Sequence, residues 1–255
     1  ALDYNEELDL IVFSSRKSNE IYVIDHSTTT LEAISDFGGN YNKGGSFLYR
    51  WGNPMVYDRG DISDQKLFAP HAVNWVEDTI DHLMIFNNGY LRPVEDNNDI
   101  PYSSIEEIVT PFSYDEGYSI DEELSYGPDE YYWYYTDYQS YSNIQSGAFR
   151  LDNGNTLITY TTLSKMVEVS NDLNIVWDYS FPLDQTEYLS RASKYNVFTV
   201  GDFNYDFFIN ILDVVSIANL VLYDYEYNYI GDVNNDQVID ILDIIALINI
   251  IIADN

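Results

Sequence analysis

Two oxygen-rich loops of twelve residues near the C-terminus constrain the fold of this chain more than any other feature. The first runs from Asp202 to Asp213 and the second from Asp232 to Asp243. Every Asp or Asn of the first loop recurs as Asp or Asn thirty residues later. A single copy could be an ordinary acidic turn, but two copies in register favour a metal-binding loop.

The spacing of the oxygen-bearing side chains predicts calcium as the metal. Calcium takes six to eight oxygen ligands, and a short loop supplies them when alternate residues point inward. The candidate ligands occupy positions 1, 3, 5, 7, 9 and 12, and position 7 contributes its main-chain carbonyl. They are Asp202, Asn204, Asp206, Phe208, Asn210 and Asp213 in the first loop, and Asp232, Asn234, Asp236, Val238, Asp240 and Asp243 in the second. We expect two Ca²⁺ ions, whose removal unfolds or loosens the module because crowded carboxylates repel one another.

Each loop leads into an apolar stretch, residues 211–222 and 241–252, and these stretches predict two helices that pack on each other. Residues 201–252 resemble the dockerin family, whose duplicated loop–helix repeats end in Asp at position 12, as at Asp213 and Asp243. The resemblance implies a module that docks onto a cohesin domain and anchors its carrier to an extracellular assembly.

Two features of the repeats depart from the dockerin pattern. Positions 10 and 11, which are often polar and read the partner in that family, are Ile-Leu in both repeats, at 211–212 and 241–242. Position 6, usually Gly, is Phe207 or Gln237. We therefore expect either an unconventional cohesin-like partner or packing of these apolar pairs on the protein's own β domain. The near-identity of the repeats permits two orientations on a symmetric partner site.

The charge of the chain excludes several classes of partner. It has 43 Asp and Glu against 11 Lys and Arg, a formal charge of -32 at pH 7. This surface repels nucleic acid and anionic lipids, although the same acidity also suits solubility in salty water. Cysteine is absent, and no apolar stretch reaches the ~20 residues of a membrane span. Weak all-oxygen calcium sites fill where calcium is abundant, which predicts an extracellular or cell-surface location, with any export signal upstream of Ala1.

Short β-rich runs separated by Gly, Asn, Asp and Ser clusters fill the first two thirds of the chain. The predicted strands are 10–14, 20–24, 47–51, 72–76, 82–87, 105–110, 131–136, 148–151, 156–161, 166–170 and 175–179. They group into about three sets of four, as in propeller blades. We predict a mainly β chain with a small α module: blades over 1–181, a tyrosine-rich insertion at 114–141, a connector at 182–200 and the calcium module at 201–255. The tyrosines form either an adhesive surface or packing between the sets.

Several strings in the β region are similar to the arylsulfotransferase family, in the family's order. They lie at 10–16, 20–30, 48–54, 64–68, 86–89, 102–108 and 146–158. The resemblance implies a six-bladed propeller that moves a sulfuryl group between phenols through a transiently sulfated histidine. Three blades cannot close a ring, so the missing blades come either from a longer chain or from neighbouring subunits, because open strand edges invite association.

The same resemblance assigns a catalytic set of His71, Arg16 and Asn74. His71 lies where the family has its nucleophile, Arg16 where it has a channel arginine, and Asn74 ends the nearby motif His-Ala-Val-Asn. The family motif reads His-Asp-Ala-His-Trp, so an acidic residue and a second histidine are replaced, and its His-x-Asn element is expected upstream of Ala1. Two functions stay open: an arylsulfotransferase-like enzyme acting on aryl sulfates, or a noncatalytic filament or surface-layer component stabilised by calcium.

Overall fold

The computed structural model describes residues 1–93, 100–119, 123–182, 188–194, 199–206, 208–223 and 228–253. Parts of the predicted insertion, 120–122, and of the predicted connector, 183–187 and 195–198, lie outside these ranges. The chain forms two compact units, residues 1–193 and residues 194–255. The first is built of strands and the second of two helices with their loops, so the expectation of a mainly β chain with a small α part is confirmed.

The β unit contains three four-stranded antiparallel sheets and one two-stranded hairpin. Its strands are β1 Leu2–Asn5, β2 Leu10–Ser15, β3 Glu20–Asp25, β4 Tyr49–Trp51, β5 His71–Trp75, β6 His82–Asn87, β7 Ser104–Val109, β8 Phe112–Ser113, β9 Gly117–Tyr118, β10 Trp133–Thr136, β11 Gly147–Arg150, β12 Thr156–Tyr160, β13 Lys165–Val169 and β14 Ile175–Ser180. The first sheet is β1-β2-β3-β4, the second β10-β7-β6-β5, the third β11-β12-β13-β14, and β8 pairs with β9. The described residues form no closed barrel or closed propeller.

All eleven predicted strands are present, with ends displaced by one or two residues in most cases. Strands β1, β8 and β9 were not predicted. Strand β1 is a four-residue strand that contains Asp3 and Asn5, residue types that are rare in strands, and it exists because it pairs with β2 from Leu2↔Phe13 to Asn5↔Leu10. Strands β8 and β9 have two residues each, too few to show an alternating pattern.

The second sheet is packed between the other two. Successive side chains of a strand point to opposite faces, so Leu83 and Ile85 of β6 join one core and Met84 and Phe86 the other. The first core also contains apolar residues of the first sheet, such as Trp51, and the second contains those of the third sheet. Burial on both faces explains why β6 reads as an uninterrupted apolar run.

The tyrosine-rich segment packs against these cores over most of its described length. The ring of Tyr118 stacks on Tyr49 with centroids 5.0 Å apart, and Tyr131 meets Trp51 edge-on at 6.2 Å. Trp133 and Tyr135 are buried in the second core, whereas Tyr132 is 65% exposed. The aromatic content of this segment therefore serves packing at most positions, with the exposed Tyr114, Tyr132 and Tyr138 as exceptions.

The C-terminal unit has two helices, α1 Ile211–Tyr223 and α2 Ile241–Ala253, each preceded by one of the twelve-residue loops. No helix among the described residues has the length and apolar character needed to cross a bilayer. The core of this unit consists of five pairs of residues, each pair separated by thirty positions. The pairs are Phe203 and Val233, Ile209 and Ile239, Val214 and Ile244, Ile217 and Leu247, and Val221 and Ile251. The sequence repeat is thus also a packing repeat.

Gly201, just before the first loop, has φ +98°, a conformation that side-chain-bearing residues rarely adopt. A Cβ atom at this position would lie 2.8 Å from Cδ1 of Leu247 on α2. The N–H of Gly201 donates to the carbonyl of Ile230 at 2.9 Å. The start of the first repeat therefore packs directly on the second.

Candidate functional site

The two loops close in the same way, through the aspartate at position 12. Asp213, in the first turn of α1, accepts the N–H of Asn204 on Oδ1 at 3.0 Å and that of Asn210 on Oδ2 at 2.9 Å. Asp243 makes the equivalent hydrogen bonds to Asn234 at 3.1 Å and to Asp240 at 2.9 Å. One carboxylate thus ties the beginning of each loop to its end.

The oxygens at positions 1, 3, 5 and 9 also accept main-chain N–H groups. In the first loop, Asp202 accepts from Asp206 at 3.1 Å and Asp206 accepts from Phe208 at 2.9 Å. In the second, Asp232 accepts from Asp236 at 3.0 Å, and Asp236 accepts from Val238 at 2.9 Å. Such short-range side-chain acceptors bend the backbone into successive turns.

The residues at position 9 begin the helices. Asn210 accepts the N–H of Leu212 on Oδ1 at 2.8 Å, and Asp240 accepts that of Leu242 at 2.7 Å. This is the hydrogen bond of a helix N-cap, which satisfies an N–H group that the helix itself cannot. The predicted ligand positions therefore also shape the loop–helix junction.

Left-handed backbone occurs at matching points of the loops. Tyr205 and Asn235, both at position 4, have φ of 64° and 59°. Gln237, at position 6 of the second loop, has φ 68°, while Phe207, its counterpart, lies outside the described residues. Non-glycine residues pay for this conformation with about 1–2 kcal/mol each, so the loop shape is held by other interactions.

Four loop carboxylates are almost completely buried. Asp202, Asp213, Asp232 and Asp243 expose between 0 and 3% of their surface. Residues 194–255 contain ten Asp and Glu but one Lys, Lys194, and no Arg or His. Buried charges in proteins are paired or coordinate metals, and the sequence of this unit supplies too few cations for pairing.

The donor set of each loop fits calcium by its chemistry. Each loop offers carboxylate, amide and main-chain oxygens and no nitrogen or sulfur ligand, and Ca²⁺ prefers oxygen. In the described part of the chain, no three His, Cys, Asp or Glu side chains are placed so that they could hold a metal ion.

The apolar pairs at positions 10 and 11 are exposed. Ile211 and Leu212 on α1 expose 63% and 56% of their surface, and Ile241 and Leu242 on α2 expose 63% and 52%. Equal exposure at equivalent positions follows from the packing repeat. The C-terminal unit therefore presents two matching apolar surfaces beside its two acidic loops.

A second candidate site lies around His71 in the β unit, where the backbone is strained. A β-bulge separates the pair His71↔Phe86 from the pair Asn74↔Met84. Within it Ala72 has φ 49°, and Ala69 just before the strand has φ 58°. Such outliers concentrate at functional sites, and a bulge redirects the side chains beside it.

A small cavity of about 200 Å³ opens next to His71. It is lined by His71, Asn74, Gln145, Ser146 and Arg191, among others. Gln145 and Ser146 also have positive φ, 48° and 75°. The cavity thus gathers several of the strained non-glycine positions of the β unit.

Asn88 determines which ring nitrogen of His71 carries the proton. Its amide nitrogen donates to the carbonyls of Ser142 at 2.7 Å and Gln145 at 3.1 Å, which fixes Oδ1 toward His71. Nδ1 of His71 lies 2.7 Å from that oxygen and 3.3 Å from the carbonyl of Ala69, and both partners are acceptors. We therefore assign the proton to Nδ1, so that Nε2 carries the lone pair.

The environment favours neutral His71. Burial lowers the pKa of the imidazole below its ordinary value of 6.5, and the nearby positive charge of Arg16 lowers it further. Arg16 donates to the carbonyl of Asn143 at 3.1 Å and lies 5.1 Å from the ring centroid of Tyr90. Arg16 thus acts on His71 through its charge, but it is not among the residues that line the cavity next to His71.

Asn74, the third predicted catalytic residue, uses its amide nitrogen for structure. It donates to the carbonyls of Ala72 and Ala148, both at 2.9 Å, and so joins the bulge to β11. Asn88 and Arg191 were not predicted as site residues. The sequence around Asn88 could not reveal its role, because its contact with His71 forms only when the sheet folds.

Comparisons with known proteins leave the family open. No family model matches the chain, and no curated protein matches it. Among solved structures, it is similar to a protein of unknown function from Bacteroides caccae, with a TM-score of 0.36 and 10% identity. The match covers 71% of this chain and 45% of that protein, so this chain spans less than half of its length.

Proposed function

We propose that residues 194–255 form a calcium-dependent attachment module of the dockerin type, which binds one Ca²⁺ in each loop. The observation that carries this proposal is the pair of equivalent loops with four buried carboxylates, in a unit whose sequence has one basic residue. Calcium would reduce the repulsion among these carboxylates, and the matching helices would offer an apolar surface to a cohesin-like partner. The same proposal supports a calcium-rich extracellular or cell-surface location, because weak all-oxygen sites fill where calcium is abundant.

Calorimetric titration of the EDTA-treated full chain with CaCl₂ tests this proposal. We expect two ions per chain, and one ion after Asp213→Ala or Asp243→Ala. Asp172→Ala, at an exposed turn of the β unit, is the matched control and should leave the stoichiometry at two. A chain that binds no calcium at millimolar concentration would contradict the proposal.

For the β unit, the arrangement around His71 favours the arylsulfotransferase-like function. A neutral imidazole with its proton on Nδ1 has a nucleophilic Nε2, and a strained bulge holds it beside a cavity. In the proposed reaction Nε2 attacks sulfur, an N–S bond forms and the S–O bond to the phenol breaks, with the electron pair leaving on the phenolate. An acceptor phenol, losing its proton, then takes the sulfuryl group and frees the histidine.

Arg16 would stabilise negative charge on the transferring sulfonate oxygens. An assay of sulfuryl transfer from 4-nitrophenyl sulfate to phenol tests this function, with the release of nitrophenolate as the measured signal. We expect His71→Ala to abolish the transfer and His26→Ala, at an exposed histidine that contacts Asp9, to retain it. Absence of transfer by the parent chain would leave the noncatalytic function, and equal transfer by both variants would exclude His71 as the nucleophile.

The alternative function, an assembly component built from blades, has an observation of its own. All six residues of edge strand β14 are exposed, including Val176, Trp177 and Tyr179. An exposed apolar edge strand is a surface for another sheet or chain. Missing blades or a neighbouring subunit would cover it, and sedimentation at several protein concentrations tests this: a monomer at all of them would oppose self-assembly.

A further inference from the structure

A second, larger cavity of the β unit has no role in the functions proposed above. Its volume is about 790 Å³, within the range of small-molecule sites. Aromatic rings contribute much of its lining. They belong to Phe68, Tyr102, Tyr131, Tyr134 and Tyr138. The polar side chains of the lining include Ser63, Gln65, Lys66, Arg92 and Glu106.

An arginine–glutamate pair forms part of this lining. Glu106 is 1% exposed, and its Oε1 accepts from Asn87 and from Ser104, both at 2.8 Å. Arg92 lies 3.7 Å from the same oxygen and donates to Ser104 at 2.8 Å. Its guanidinium lies 4.3 Å from the ring centroid of Tyr102. The charges of the pair compensate each other, so neither is available in full for an ionic ligand.

The polar groups suit hydroxyl groups better than phosphates. Lys66 is the remaining charged residue of the described lining, and its ammonium donates to the carbonyl of Asp129 at 3.2 Å. Burial raises the pKa of Tyr134 to about 12 and also raises that of Tyr131, so both phenols stay neutral and can donate as well as accept. One uncompensated cation is too little for a nucleotide with several negative charges.

Oε2 of Glu106 is buried and without a hydrogen-bond partner among the described residues, so a ligand hydroxyl would reach it only after a small shift of the lining. The lining thus offers aromatic rings with apolar faces, neutral hydrogen-bond donors and acceptors, and a carboxyl group. This combination suits a ligand with a polyhydroxylated ring. We infer that this cavity binds a saccharide, with pyranose faces against Tyr102 and Tyr138 and sugar hydroxyls hydrogen-bonded to the polar lining.

Saccharide binding can be measured on the full chain by calorimetry with cellotetraose, maltotetraose and tetragalacturonate as separate probes. We expect at least one of them to bind, and Tyr138→Ala to weaken that binding about tenfold. Tyr138 is 62% exposed, so its removal spares the core, and its ring lies 5.0 Å from that of Tyr102. Tyr132→Ala is the matched control, because Tyr132 is 65% exposed and does not line the cavity; it should bind as the parent does.

Repeating the titration with His71→Ala separates this inference from the sulfuryl-transfer proposal, since saccharide binding should persist there. Glu106→Gln, which keeps the shape of the side chain, should also weaken binding. No binding of any of the three probes, equal binding by Tyr138→Ala and Tyr132→Ala, or displacement of the saccharide by equimolar 4-nitrophenyl sulfate would overturn the inference.

Discussion

The β unit and the C-terminal unit both bury carboxylates, but the two units differ in the basic residues that their sequences offer to these carboxylates. In the β unit, Glu20 forms a bidentate pair with Arg50 at 2.8 and 2.6 Å, and Glu107 contacts both Arg150 and His82. In the C-terminal unit, four buried aspartates share a sequence with a single lysine. The first unit carries its counter-charges in its own chain, whereas we propose that the second takes them from solution as calcium.

This difference predicts that calcium controls one unit and not the other. Because carboxylates crowded in one loop repel one another unless a cation lies between them, the stability of the C-terminal unit should follow calcium concentration. That of the β unit should follow its own side chains.

Removing calcium with EDTA should unfold or loosen the C-terminal unit while the β unit keeps its structure. One site at one hundred times its Kd stabilises the folded state by about 2.7 kcal/mol, so two sites account for about 5 kcal/mol. Hydrogen exchange followed by mass spectrometry should show loss of protection over α1 and α2 and none over β6. Equal protection of the helices with and without calcium would contradict the prediction that calcium stabilises the C-terminal unit.

Glu20→Ala should destabilise the β unit by about 3–5 kcal/mol, because it leaves Arg50 without its buried partner. Urea unfolding monitored by tryptophan fluorescence measures the loss, and all four tryptophans of the chain precede residue 194. The loss should be the same in calcium and in EDTA. Glu77→Ala, at an exposed glutamate, is the control and should change the free energy of unfolding little.

Asp213→Ala should remove about the stabilisation of one calcium site, roughly 2.7 kcal/mol at one hundred times Kd. Asp243→Ala should have a similar effect, since the hydrogen bonds of the two residues are equivalent. Calcium-dependent thermal unfolding of the C-terminal unit, followed by circular dichroism, compares them. A large effect of one variant and none of the other would show that the repeats are not functionally equivalent.

The smallest expected effect is the pH dependence that His71 gives to the β unit. Its folded pKa is lowered by burial, so the unfolded chain binds the proton more readily. The stability due to neutral His71 is complete above about pH 6.5 and declines as pH falls toward the lowered folded pKa, by up to ~1.4 kcal/mol per pKa unit of difference. His71→Gln should lack this part of the pH dependence between pH 7.5 and 5.5. An identical pH profile for both proteins would refute it.

Much of the fold could be predicted because local patterns and tertiary packing agree. Turns such as Asp152-Asn153-Gly154-Asn155 mark the hairpin between β11 and β12, and alternation marks the strands. The candidate calcium positions could be named because all of them lie within two short loops. Asn88 could not, since its contacts with His71, Ser142 and Gln145 join segments as far as 57 residues apart.

By itself, the sequence determined where eleven of the strands and both helices form and that residues 202–213 and 232–243 are equivalent, because these properties depend on neighbours along the chain. Only the tertiary structure decided that Nε2 of His71 carries the lone pair and that Asn74 donates to main-chain carbonyls. It also decided that Arg92 and Glu106 line one cavity together with several tyrosines. Those outcomes depend on distances between segments that meet when the sheets pack, and burial there sets both the hydrogen-bond partners and the protonation of each group.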